Sequence, residues 1–207
     1  LCVGVVDEAE PDAAAYHQVR GAFSFKKVYR ELFRGGLEGG LRDYDLPTSF
    51  PRAVLERHPE LREVRRWVED PDAVALEVGL TRASLKKFVN LAPGAGNRAI
   101  NAWMEEVGLV VRPDFARRYL ADINTARRRD VELAPEHWAP ALLALDRSTE
   151  RDVQNAIFYI RNCEFERRQL EECCAAVSEF ADVVAWEYDG MVLSLRPGIG
   201  WDRVEEA

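Results

Sequence analysis

A chain of 207 residues, 47% hydrophobic and 31% charged, has the make-up of a globular protein with a sizeable core, which excludes a disordered or fibrous chain. Charges interrupt every helix-length window, and the opening Leu1-Cys2-Val3-Gly4-Val5-Val6 lacks the basic flank of a secretory signal. A soluble, intracellular protein with no membrane partner is expected. The net charge of −8, from 28 Lys+Arg against 36 Asp+Glu, argues against loose binding of nucleic acid over the whole surface but leaves room for a local basic cleft.

In chain order, Leu1 to Val6 reads as a short buried strand, and its start on Leu in mid-strand suggests excision from a longer chain. A helical segment is expected around Phe23 to Phe33, followed by a glycine-rich loop, Arg34 to Gly40. Leu41-Arg42-Asp43-Tyr44-Asp45-Leu46 alternates as a strand does, and Pro47 ends it. Helices are predicted near Pro51–Arg57, Leu61–Glu69, Arg82–Leu91, Asn97–Val107, Pro113–Arg128 and Pro135–Leu145, each with a boundary residue at an end.

A long helix is predicted from about Thr149 to Phe180, with Ala156, Tyr159, Cys163, Leu170, Cys173, Val177 and Phe180 stepping by threes and fours. Glu166 occupies one slot of that inward stripe, where a carboxylate is costly unless it is paired with an arginine or set beside a metal or substrate. The chain closes with two apolar runs around Asp189-Gly190, the signature of a β-hairpin. Strands at both ends with helices between predict one α+β unit over residues 1–207. It would be mostly helical, with a small antiparallel sheet and a terminal hairpin.

The cysteines Cys2, Cys163, Cys173 and Cys174 fit neither a disulfide framework nor a zinc spacing, and read as reduced, mostly buried thiols. Chemistry is better sought among the acids. Alternation puts Asp43 and Asp45 on one strand face, and Asp189 falls at the hairpin tip. If the two strands lie side by side, carboxylates from each can hold a pair of Mg²⁺ ions for in-line phosphoryl transfer. Read singly, Asp189-Gly190 is a turn and Asp43 and Asp45 are edge-strand charges. Arg82 and Lys86, four apart on one helix face beside Lys87, suit a triphosphate, and Thr81 suits the N-cap of that helix. These residues and the runs Arg65-Arg66 and Arg127-Arg128-Arg129 also fit solvated helix faces.

The order of these elements resembles the palm-and-fingers core of family A DNA polymerases, in the divergent form of large DNA viruses and mobile elements. Asp43-Tyr44-Asp45-Leu46-Pro47-Thr48-Ser49-Phe50-Pro51 is similar to motif A, Thr81 to Asn90 to motif B, and Tyr188-Asp189-Gly190-Met191-Val192 to motif C. The resemblance implies Asp45 and Asp189 as catalytic metal ligands for Mg²⁺. It also implies Arg82 and Lys86 as triphosphate binders and Phe50 as the side chain screening the sugar 2′ position. Glu166 falls where divergent members often carry a Glu, while Pro93 and Gly94 stand where that family continues the fingers helix and places a Tyr.

The implied activity is template-directed nucleotidyl transfer onto a primer from nucleoside triphosphates, with primer-template nucleic acid as partner. The rivals are a catalytically degenerate nucleic-acid-binding copy and a helical protein-interaction module.

Overall fold

A computed structural model describes residues 41–94, 96–144, 149–186 and 190–206. The expected strand at Leu1–Val6, the helix around Phe23 to Phe33, the glycine loop and Cys2 lie outside the described residues, as does Asp189. The fold is α+β and mostly helical, as predicted. Its elements in order are β1 (Leu41–Asp45), α1 (Ser49–Arg57), α2 (Arg62–Glu69), α3 (Pro71–Val78), α4 (Arg82–Leu91), α5 (Asn97–Glu106), α6 (Asp114–Glu132), α7 (Trp138–Ala144), α8 (Glu150–Val177), β2 (Ala181–Trp186), β3 (Gly190–Leu195) and α9 (Trp201–Glu205).

The chain divides into two compact units, with boundaries after Asp45 and within α8 after Gln169. The helical unit, Leu46–Gln169, is built on an aromatic core. Trp67, Phe88, Trp103, Phe115 and Tyr119 are all at most 2% exposed, and the Phe88 and Trp103 rings lie 4.8 Å apart. Burial of these large side chains is the main stabilising term of the unit, at about 1.5–3 kcal/mol each. A smaller cluster joins Leu142 of α7 to Val153, Ala156 and Ile157 of α8.

Local rules account for several helix ends. Thr81 caps α4 as expected, its Oγ1 accepting from the Ser84 amide at 3.1 Å. Helix α4 stops at Leu91, two residues ahead of Pro93: Ala92 still has helical angles and donates to the Phe88 carbonyl, but Pro93 has no N–H to carry the ladder further. Helix α3 was not anticipated, although its ends are plainly marked. Asp70 caps the Ala73 amide at 2.8 Å, Pro71 opens the helix, and Gly79 closes it with φ +74°.

By contrast α2 has no local side-chain cap. Its first amides, Glu63 and Val64, donate to Asp122 Oδ2 of α6 at 2.8 and 3.3 Å. Burial raises the pKa of Asp122, and these two amide donors act in the opposite direction.

The sheet unit contains β1, the end of α8, β2, β3 and α9. The strand order is β1-β3-β2, antiparallel throughout. Met191, Leu193, Ala181, Val177 and Val204 form its core, with Tyr44, Phe180 and Trp201 packed against them. Helix α9, absent from the sequence-based expectation, sends Val204 into this core and places Trp201 under the Arg42 guanidinium, 4.7 Å from the ring centroid.

The terminal hairpin is present, but its register differs from the one expected. A two-residue Asp189-Gly190 turn would set Tyr188 opposite Met191, whereas Trp186 lies opposite Met191 and Gly190 is a strand residue. The reason is β1. It takes the other edge of β3 and pairs Asp45 with Gly190, extending the ladder to that residue.

Candidate functional site

In β1 the register runs Leu41↔Ser194, Arg42↔Leu193, Asp43↔Val192, Tyr44↔Met191 and Asp45↔Gly190. Asp45 therefore ends its strand beside the residue that follows Asp189 in the chain. The approach is close. A Cβ on Gly190 would lie 2.6 Å from Asp45 Oδ1 and 2.6 Å from the Tyr44 carbonyl oxygen, well inside contact distance. Only glycine lets the Asp45 carboxylate lie over this strand. Asp45 is exposed and has no ion-pair partner among the described residues. Tyr44, on the opposite face, packs on Trp201 at 6.2 Å between centroids. The side chain of Asp43, expected to join Asp45, lies outside those described.

The other expected site residues belong to the helical unit. Arg82 is exposed and pairs with Asp72 at 3.2 Å, while Lys86, one turn on, is exposed with no ion-pair partner among the described residues. Lys87 pairs with Glu106. Phe50, expected to screen a sugar, is half-buried and meets Phe158 edge-on, 5.7 Å between centroids. Its neighbour Ser49 is buried and donates from Oγ to Glu166 Oε1 at 2.9 Å. Glu166 is thus inward on α8, as its place in the stripe implied. Tyr159, assigned to the same stripe, is instead 37% exposed, because the buried face of α8 runs through Ile157, Phe158, Asn162 and Phe165.

The cysteines Cys163, Cys173 and Cys174 are free thiols, each partly buried. Burial, reinforced by Glu166 and Glu164, pushes the Cys163 thiol up to about 12, so it is protonated and unreactive at neutral pH.

Thr48, between Asp45 and α1, is the one non-glycine residue with positive φ among those described, at φ +52° and ψ +38°. A β-branched residue in this region is strained, and its hydroxyl donates to the Pro47 carbonyl at 2.7 Å.

Of the buried charged groups that escaped the sequence reading, two lie on α6. Asp130, fully buried on α6, accepts from Arg57 Nη2 at 2.9 Å and Nε at 3.2 Å, and lies 2.9 Å from His58 Nε2. Arg57 also donates to Asn162 Oδ1 at 3.1 Å, which ties α1, α6 and α8 together. The second is Arg127, read as one member of a solvated basic run, yet only 9% exposed. Both lie on the stripe Tyr119, Ile123, Arg127, Asp130, whose spacing by fours and threes marks the inward face of α6. Among the remaining basic runs Arg65 and Arg129 fit the solvated reading, pairing with Glu69 and Glu60, whereas Arg66 is half-buried and pairs with the buried Glu63 as well as with Glu77.

Among the described residues no group of three or more His, Cys, Asp or Glu side chains is disposed to hold a metal ion, and no helix is long and apolar enough to cross a membrane. No protein-family model matches the chain, and no solved structure matches it significantly.

Proposed function

We propose that this chain is a metal-dependent nucleotidyl-transferase core that extends a nucleic-acid primer from nucleoside triphosphates. The observation that supports it most is the pairing of Asp45 with Gly190, in which a glycine is required so that an exposed carboxylate, without an ion pair among the described residues, can lie over the strand that follows Asp189. Exposed carboxylate oxygens are the donors that Mg²⁺ favours. Asp45 and Asp189 would hold the ions, with substrate phosphates and water completing the set. Bound Mg²⁺ would neutralise phosphate charge and lower the pKa of the primer hydroxyl.

Arg82 and Lys86 would bind the triphosphate, Arg82 by exchanging its exposed Asp72 partner for phosphate oxygens. Exposed pairs of this kind contribute under about 1 kcal/mol, so the exchange costs little. Phe50, held edge-on against Phe158, would present a fixed apolar wall to the sugar. The primer 3′-oxygen would form the bond to the α-phosphorus, and the bond to the bridging oxygen would break, releasing pyrophosphate and one proton.

Primer extension by the full chain with Mg²⁺ tests the reading, wild type against Asp45→Asn and Asp189→Asn. Each variant is expected to lose about a hundredfold or more of the rate, the usual scale for removing one preorganised charge-stabilising group. Equal extension by all three proteins would end it. The end of α4 at Leu91, ahead of Pro93, favours a second reading, a copy that retains nucleic-acid binding without catalysis. It predicts a salt-dependent gel shift and no incorporation with any divalent metal.

A further inference from the structure

Helix α1 opens against its own local preferences. Thr48, at its N-cap, holds the left-handed conformation with φ +52°, and its hydroxyl turns back to the Pro47 carbonyl instead of capping the helix. Phe50 lies in the first turn directly before Pro51, a position in which helical geometry is disfavoured. That turn also holds no acid to complement the helix dipole. Adverse conformations this close together persist only where the surrounding structure over-determines them.

The anchors come from α8. Glu166, 8% exposed, accepts from the Ser49 hydroxyl at 2.9 Å, and Ser49 is itself buried. Earlier on the same helix the buried Phe158 ring meets Phe50 edge-on at 5.7 Å. A carboxylate joined to the first residue of α1 supplies the negative charge that the sequence of its first turn lacks. Ser49 therefore ties down the backbone on one side of Phe50, and Pro51 restricts it on the other. All these residues belong to the helical unit, and the Phe50 ring between them stays half-buried.

We propose that Glu166 is a positioning residue for nucleotide selection. Through Ser49 it fixes the first turn of α1, and with it the direction from which the Phe50 ring meets the sugar of the incoming triphosphate. The proposal rests on the nucleotidyl-transfer reading above and adds to it a residue that acts without touching substrate or metal. The edge-on contact with Phe158 limits the ring from one side, whereas the hydrogen bond to Glu166 is directional and sets the backbone that carries it. Selection is sensitive to such placement, since an error of about 1 Å in a positioning group is enough to change a rate substantially.

Primer extension by the full chain with Mg²⁺ tests it, read as the ratio of kcat/KM for dATP to that for ATP. Molecules that fail to fold lower both rates alike, so the ratio reports the site and not stability. The wild type is expected to prefer dATP. Ser49→Ala and Glu166→Leu should each lose about tenfold of that preference, within the range that one small group contributes in an apolar pocket. Glu166→Gln keeps an oxygen acceptor for Ser49 and should stay within about twofold of the wild type. The combined Ser49→Ala, Glu166→Leu variant should lose no more than either alone, because both act through one bond. Where a variant of the buried Glu166 fails to fold, Ser49→Ala decides. No extension by the wild type would overturn the nucleotidyl-transfer reading and this proposal together. Extension without a preference for dATP, an unchanged ratio in Ser49→Ala, or a loss in Glu166→Gln equal to that in Glu166→Leu would overturn the proposal alone.

Discussion

Two aspartates, one in each unit, show how differently the two regions use the same side chain. Asp130 of the helical unit is fully buried and saturated by Arg57 and His58, whereas Asp45 of the sheet unit is exposed, without an ion pair among the described residues, and laid over a glycine. Every buried polar or charged side chain among the described residues, from Ser49 to Glu166, belongs to the helical unit. That unit spends its polar groups on fixing helix against helix. In the sheet unit the approach of Asp45 to Gly190 adds nothing to the core and leaves an exposed carboxylate. Asp130 is scaffold, whereas Asp45 meets no cation among the described residues.

The contrast can be broken at either end. Removing the scaffold acid carries the largest expected effect: Asp130→Ala strands the mostly buried Arg57 without its partner and should cost about 3–5 kcal/mol in urea unfolding. A loss below about 1 kcal/mol would mean that the Arg57–Asp130–His58 network does not hold the helices. On the other side, Gly190→Ala drives a methyl into Asp45 Oδ1 and the Tyr44 carbonyl, so β1 must shift away from β3. Overpacking of this kind should cost about 1–3 kcal/mol. Unchanged stability would show that β1 does not approach β3 as described.

Cys163 sharpens the picture of the helical interior through pH. The thiol of the unfolded chain ionises near 9, while the native thiol keeps its proton to about 12, so the unfolded state loses protons first. Stability is therefore retained below pH 9 and falls as pH rises from 9 toward 12, by at most about 1.4 kcal/mol per pH unit. Cys163→Ala should flatten that part of the urea-midpoint profile. The smallest effect is expected at Thr48, where glycine relieves the positive φ at some entropic cost. Thr48→Gly should raise stability by about 0.5 kcal/mol, read as a small increase in melting temperature.

Much of the helical unit is legible in the sequence because its signals are local. Thr81 caps α4, Pro93 follows the end of the same helix, and the spacing of Phe88, Tyr119 and Ile123 marks inward faces. Even the unanticipated α3 has its ends written in Asp70-Pro71 and Gly79, though Leu76, 82% exposed, blurs its apolar stripe. What is not local is not legible. Asp122 caps a helix of which it is no part, and nothing near Glu63 announces it. The Arg127 run looks like surface until the stripe that continues to Asp130 is followed.

At the candidate site, the identity of Asp45 and its strand could be read, but its partner on β3 could not. An antiparallel register between distant segments is set by the packing of both faces rather than by neighbours in sequence. The assumption that Asp-Gly must turn the hairpin hid the reason for Gly190, which is the approach of β1.

The strand order β1-β3-β2 also bears on how the chain reaches this state. β2 and β3 are adjacent in sequence and can zip as soon as both exist, but β1 must join them across a closure that encloses the entire helical unit. The entropy of such a closure grows only slowly with length, yet it must be met before the contacts it creates can repay it. The helices, built on short-range contacts, are the natural first structures to form. The pairing that brings Asp45 to Gly190 therefore spans the longest sequence separation in the sheet and carries its largest closure cost.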